Sequence, residues 1–83
     1  MKYAVRITVI RSECRCGLHS EGQEFTVEDT CPPICHELWS NIYPMLYAIG
    51  NGAELESGSG YSESFTADCP DGGRVRVRCE TVK

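Results

Sequence analysis

The chain has 83 residues, six cysteines and a formal net charge of −4. A chain of this length forms one small domain, which buries only about 60–65% of the surface that its unfolded form exposes. Net stability is then typically only about 5 kcal/mol, so the six cysteines are the first feature to explain. The acidic balance argues against general nucleic-acid binding, which needs a basic surface. No segment approaches the ~18 apolar residues of a membrane-spanning helix.

The first segment, about residues 2–11, alternates apolar and polar side chains and predicts a β-strand. The residues predicted for its buried face are Tyr3, Val5, Ile7 and Val9. The same alternation leaves no uninterrupted apolar run, so the segment does not resemble a signal peptide. We therefore expect a cytosolic protein whose thiols are mostly reduced.

A loop at residues 14–22 separates this strand from a short second strand at residues 24–28, which turns Phe25 and Val27 inward. Proline suits the first helical turn, where amide donors have no intrahelical partner, so the pair at 32–33 predicts the start of a helix. The helix is expected to run to about Ile49 and to end at the glycines that follow. Its predicted core-facing stripe consists of Ile34, Leu38, Ile42, Met45 and Ile49.

The remainder of the chain predicts a Gly- and Ser-rich flexible linker at about 53–63 and then a β-hairpin. A three-residue hairpin loop, 71–73, gives one apolar and one charged face, whereas a two-residue loop would mix them. The pairs that this register predicts are Phe65 with Cys79, Ala67 with Val77, and Cys69 with Val75. The element order ββαββ then predicts an α+β fold of two layers, an antiparallel sheet with one helix packed across one face.

Thiols and imidazoles are concentrated in two places, the first loop and the start of the helix. The first group is Cys14, Cys16 and His19, and the second is Cys31, Cys35 and His36. Thiolate and imidazole are the ligands of soft and borderline metals such as zinc, although C-x-C and C-x3-C differ from the paired C-x2-C of zinc ribbons. The predicted metal ligands are Cys14, Cys16, His19 and Cys35, with Cys31 and Cys69 as candidate additional thiols.

Two other interpretations of the cysteines stay open. A thiol redox protein could use Cys35 as its nucleophile, because a thiolate in the first helical turn is stabilised by unpaired amides, with Cys31 or a loop cysteine as resolving partner. Alternatively, the cysteines are small packed hydrophobes in a structural or interaction module, which suits Cys69 and Cys79 on the apolar face of the hairpin. The sequence favours binding rather than catalytic turnover, in a small accessory protein.

A second stripe on the predicted helix is aromatic. Trp39, Tyr43 and Tyr47 recur at intervals of four residues and lie well round the helix from the core-facing stripe. A sheet covers only one side of a single helix, and aromatic side chains are enriched at protein interfaces. We therefore expect a homodimer through this stripe, with Pro44 bending the helix axis.

The order of these motifs resembles that of a family of short, functionally uncharacterised prokaryotic proteins, over most of the chain. The resemblance rests on the opening VRITVI, a Cys/Gly/His loop, the helix ICHELWSNIYPMLYAIGNG and a Cys-Pro-Asp before the last strand. It implies that one loop cysteine, Cys35 and Cys69 belong to a shared pattern, whereas Cys31 and Cys79 are additions. The family loop carries a single cysteine before its Gly-His, so which of the two loop thiols here corresponds to it is open.

Overall fold

The computed structural model describes residues 1–15, 17–57 and 60–82. Its elements are β1 (Ala4–Ser12), β2 (Glu24–Val27), α1 (His36–Gly50), β3 (Leu55–Ser57), β4 (Gly60–Ser62), β5 (Ser64–Asp68) and β6 (Val75–Val82). Four strands form an antiparallel sheet in the order β2-β1-β6-β5, and β3 pairs with β4 in a separate small sheet. The helix packs on the larger sheet, which confirms the α+β architecture. Within these residues, no helix is long and apolar enough to cross a membrane.

The core lies between α1 and the two central strands, whose alternating side chains turn every second residue towards the helix. The almost completely buried side chains are Val5, Ile7, Val9, Val75, Val77 and Cys79 on the strands and Leu38, Ile42, Leu46 and Ile49 on the helix. The helical stripe was predicted correctly at Leu38, Ile42 and Ile49. It was wrong at two positions, because Ile34 precedes the helix, and Leu46 is buried whereas Met45 is 37% exposed. Each helical residue turns by about 100°, so the orientation that directs Leu46 at the sheet directs Met45 away from it.

The predicted register of the final hairpin is confirmed. Phe65 pairs with Cys79 and Ala67 with Val77, and the Cys69 N–H donates to the Val75 carbonyl at 2.7 Å. The turn contains two successive glycines with φ values of 66° and 72°, a left-handed conformation that residues with a side chain rarely adopt. The hairpin therefore directs Cys69 and Cys79 to the helix-facing side of the sheet, as expected.

The predicted start of the helix was wrong. The helix begins at His36, and Cys35 is its N-cap residue, with φ −53° and ψ 131°, rather than a member of the first turn. A proline disfavours the helical conformation of the residue before it, so Pro33 keeps Pro32 out of a helix. The chain makes a turn instead, in which the Ile34 N–H donates to the Pro32 carbonyl at 2.7 Å. The Cys35 N–H that follows donates to His19 Nε2, a tertiary contact.

The prediction of a flexible linker at residues 53–63 was also wrong. Strands β3 and β4 occupy most of this segment and pair Leu55 with Ser62 and Glu56 with Tyr61. Leu55 is half-buried against the main core, which fixes the small sheet to the domain. Gly58 and Ser59 of this segment lie outside the described residues.

Candidate functional site

The loop that carries Cys14 is held against the turn of the final hairpin. The Glu13 N–H donates to the Arg74 carbonyl at 2.6 Å. The Asp71 carboxylate, in the turn, lies between two cations, with its Oδ2 3.2 Å from Arg15 Nε and 3.6 Å from Arg74 Nε. These contacts join the end of β1 to the segment between β5 and β6, two regions that are far apart in the sequence.

The same loop is joined to the start of the helix by His19, which is only 5% exposed. Its Nε2 accepts the Cys35 backbone N–H at 3.1 Å, and its Nδ1 lies 3.1 Å from Gln23 Oε1. Because Nε2 accepts, the network assigns the proton to Nδ1, which donates to Gln23. The ring also packs edge-on against Phe25, and the Ser12 hydroxyl donates to the His19 carbonyl at 2.6 Å. His19 therefore links the loop to the N-terminus of α1.

Three cysteines from separate parts of the chain line one small cavity at this junction. Cys14 comes from the loop after β1, Cys35 from the N-cap of α1 and Cys69 from the segment just after β5. The cavity has a volume of about 50 Å³. One water molecule occupies about 30 Å³ in the liquid, so this space admits an ion or a water but no organic substrate. We call this group of three side chains and the space between them the thiol cavity.

The other predicted site residues lie elsewhere or serve another purpose. Both ring nitrogens of His19 have partners, so a metal at Nε2 would have to displace the Cys35 N–H. Cys31 is exposed, lines a different cavity beside Trp39, and donates its thiol hydrogen to the Pro32 carbonyl at 3.3 Å. Cys79 is part of the core, where burial raises the pKa of its thiol to about 12. Cys16 lies outside the described residues.

The thiol cavity fits a soft cation in its donor type. Two arginines, Arg15 and Arg74, and two carboxylates, Glu37 and Asp71, also line it, so the charges of these four side chains balance. The Arg74 Nε is buried and has no hydrogen-bond partner within the described residues. In the described part of the chain, however, no three or more Cys, His, Asp or Glu side chains are already arranged to hold a metal ion.

The aromatic side chains of α1 form a continuous row on its outer side. The Trp39 and Tyr43 ring centroids are 5.2 Å apart, and those of Tyr43 and Tyr47 are 5.9 Å apart. Trp39 is half-buried against the core, whereas Tyr43 and Tyr47 are exposed. The sheet thus leaves most of this stripe accessible, as the helical spacing predicted.

No protein-family model, curated protein or solved structure matches this chain. The resemblance to a family of short prokaryotic proteins therefore stays a prediction. The function of the thiol cavity has to be argued from its own residues and dimensions.

Proposed function

We propose that the protein is a small binding protein that holds a soft or borderline divalent cation, such as Zn²⁺, between Cys14, Cys35 and Cys69. The observation that carries the proposal is that these three side chains line one ion-sized cavity. Thiolates are the ligands that such cations select, and zinc sites commonly use four ligands. The fourth ligand would be a water molecule or Cys16, which follows Cys14 by two residues in the sequence.

This ligand set replaces His19 of the sequence-based prediction by Cys69. His19 acts instead on the position of a ligand, because its bond to the Cys35 N–H fixes the backbone from which that thiol projects. Outer groups of this kind set the geometry of metal ligands in many sites. Since no three donors among the described residues are already arranged around a point, binding the ion requires the thiols to rotate inward. Loading should therefore stabilise the loop, the hairpin turn and the helix start together.

A thiol redox function is the second candidate, and the same cavity favours it. Two of its three cysteines could form a disulfide by exchange with a disulfide of a partner protein, which would be reduced to two thiols as this chain is oxidised. Cys31 is not suited to be the resolving cysteine of Cys35, because it lines a separate cavity. Both candidates require reduced thiols, so we propose a cytoplasmic location for either.

Elemental analysis of protein purified anaerobically without chelator, with a free-thiol count on the same sample, tests the proposal. We expect about one metal ion per chain and cobalt(II) uptake that produces sulfur-to-metal absorption bands. The ligand thiols should react only after a chelator is added, whereas the exposed thiol of Cys31 should react without it. Cys14→Ser, Cys35→Ser and Cys69→Ser should each weaken or abolish binding. Cys31→Ser is the matched control and should bind as the parent protein does, and Cys16→Ser decides whether Cys16 is the fourth ligand.

The alternative outcomes are distinct. A metal-free protein that takes up neither zinc nor cobalt, and whose thiols all react on unfolding, would exclude the metal function. Fewer reactive thiols without metal would mean a disulfide and would favour the redox function. The homodimer through Trp39, Tyr43 and Tyr47 stays a prediction, which sedimentation over a range of concentrations checks.

A further inference from the structure

A second cavity, separate from the thiol cavity, lies beside the aromatic row of α1. It has a volume of about 330 Å³ and is open to solvent on one side. One part of its wall consists of Trp39, Tyr43 and Tyr47, and a second part is the segment that follows β2, with Glu28 and Asp29; Met1 lines it too. We call it the aromatic groove. The proposed metal site does not involve the aromatic groove.

The aromatic wall offers the electron-rich faces of three rings in sequence. Adjacent rings are tilted by 34° and 51° and are separated by less than 6 Å, so they form a row rather than a closed stack. The faces of tryptophan and tyrosine rings attract cations placed within about 6 Å of the ring centroid. Tyr43 and Tyr47 are 43% and 52% exposed, so a ligand can reach these rings without displacing the core.

The wall segment after β2 carries negative charge that no ion pair within the described residues neutralises. Glu28 and Asp29 are both exposed, and within the described residues neither forms an ion pair. Lys2 lines an adjoining cavity of about 230 Å³ with the same two carboxylates, yet it is not within ion-pair distance of either. Carboxylates that line the same cavity as a row of aromatic rings favour a ligand that is both positively charged and partly apolar.

A second copy of the chain is a poor occupant of this groove. A two-fold symmetric interface brings the same surface of both copies together. Such a dimer through the aromatic row would bring the Glu28 and Asp29 carboxylates of both copies into one interface, and an excess of like charge at an interface is unfavourable. The charge of the groove therefore favours a basic partner over self-association.

We infer that the aromatic groove binds a lysine or arginine side chain of a partner polypeptide. The alkyl part of such a side chain packs along the rings of Trp39 and Tyr43, and its cationic end lies between the rings and the carboxylates of Glu28 and Asp29. A volume of about 330 Å³ accommodates one extended side chain with part of its backbone. A row of three rings open to solvent suits a chain that lies across the surface rather than a ligand that is enclosed.

The chain supplies its own reporter for this binding, because Trp39 is its single tryptophan. We would titrate the protein with acetyl-Gly-Lys-Gly-amide and the corresponding arginine peptide at constant ionic strength and record tryptophan fluorescence. Both peptides should give a saturable change with millimolar affinity, whereas the norleucine peptide, which has the alkyl chain without the charge, should give none. The same titration with tetramethylammonium and with methylamine tests for a site that accepts small amines.

Variants assign the binding to each wall of the groove. Glu28→Gln/Asp29→Asn should weaken binding about fivefold, since exposed charge pairs contribute modestly. Glu21→Gln/Glu54→Gln removes the same net charge from two exposed positions outside the groove and should leave the affinity unchanged. Tyr43→Leu should weaken binding at an exposed position where folding does not depend on the ring, and Lys2→Gln, which removes a competing cation, should strengthen it.

Three results would overturn the inference. Equal binding of the norleucine peptide would mean that the groove selects apolar chains without regard to charge. Binding of the small amines without binding of the peptides would assign the groove to a free amine rather than to a polypeptide. A linear, unsaturable fluorescence response in all titrations would mean that it binds no cation. Loss of metal binding in Cys35→Ser would leave each of these results unchanged, so the two proposals are tested separately.

Discussion

Replacement of His19 by phenylalanine tests whether the imidazole fastens the loop to the helix. The variant keeps an aromatic ring of similar size against Phe25 but removes both nitrogens, which leaves the Cys35 N–H and the side-chain Oε1 of Gln23 without their present partner. An unsatisfied buried donor costs about 1–3 kcal/mol. Cys35 is only half-buried, so water would satisfy its N–H part of the time. We therefore expect a loss of about 2 kcal/mol.

Urea unfolding and thermal unfolding measure this loss directly. In a domain of this size 1 kcal/mol corresponds to about 4–8 °C, so Tm should fall by about 8–16 °C. His19→Gln keeps a side-chain carbonyl that can accept the Cys35 N–H and should recover part of the stability. Glu21→Ala, at an exposed position of the same loop, is the control and should change stability by less than about 0.5 kcal/mol. If His19→Phe has the same Tm and the same urea midpoint as Glu21→Ala, the imidazole does not hold the loop to the helix.

Two further predictions concern the core. Leu46→Ala should lower the free energy of unfolding by about 2–5 kcal/mol, and Met45→Ala should lower it by less than about 1 kcal/mol. Urea titration measures both losses, and equal losses would contradict the orientation of α1. Burial raises the pKa of the Cys79 thiol from 9.0 to about 12. The folded state therefore favours the neutral thiol, and the stability that this adds is complete below about pH 9 and is lost as the pH rises towards 12. The stability difference between the parent and Cys79→Ala should therefore shrink above pH 9, by up to about 1.4 kcal/mol per pH unit, and a pH-independent difference would refute this.

The elements that the sequence predicted correctly are those whose local pattern has one solution. In the final hairpin only one register separates apolar from charged side chains, so Phe65 and Cys79 could be paired before the structure was known. Within the helix, the stripe prediction failed only where two apolar residues, Met45 and Leu46, are adjacent and either could face the sheet. Periodicity determines the buried face of an element but not a choice between neighbouring apolar residues at its edge.

The errors arose where a distant part of the chain decides the local structure. At the helix start, Pro33 acts locally, but the N–H of the N-cap residue Cys35 is bonded by His19, sixteen residues earlier in the chain. The segment at 53–63 has the composition of a linker, yet Leu55 packs on the core and gives its hairpin an anchor. Cys69 was assigned to the hairpin face correctly. Its proximity to Cys14 depends on the pairing of β6 with β1, which no local pattern predicts.

The pairing of β1 with β6 also has a consequence for how the chain folds. These strands are the centre of the four-stranded sheet, and their register places Ala4 opposite Val82. Joining segments this far apart along the chain costs about 4 kcal/mol of loop-closure entropy before the core contributes anything. During synthesis β1 cannot pair with β6 until β6 has emerged from the ribosome. Until then the apolar face of β1 is accessible to chaperones. We therefore expect slow, all-or-none folding, in which the thiol cavity forms together with the sheet rather than before it.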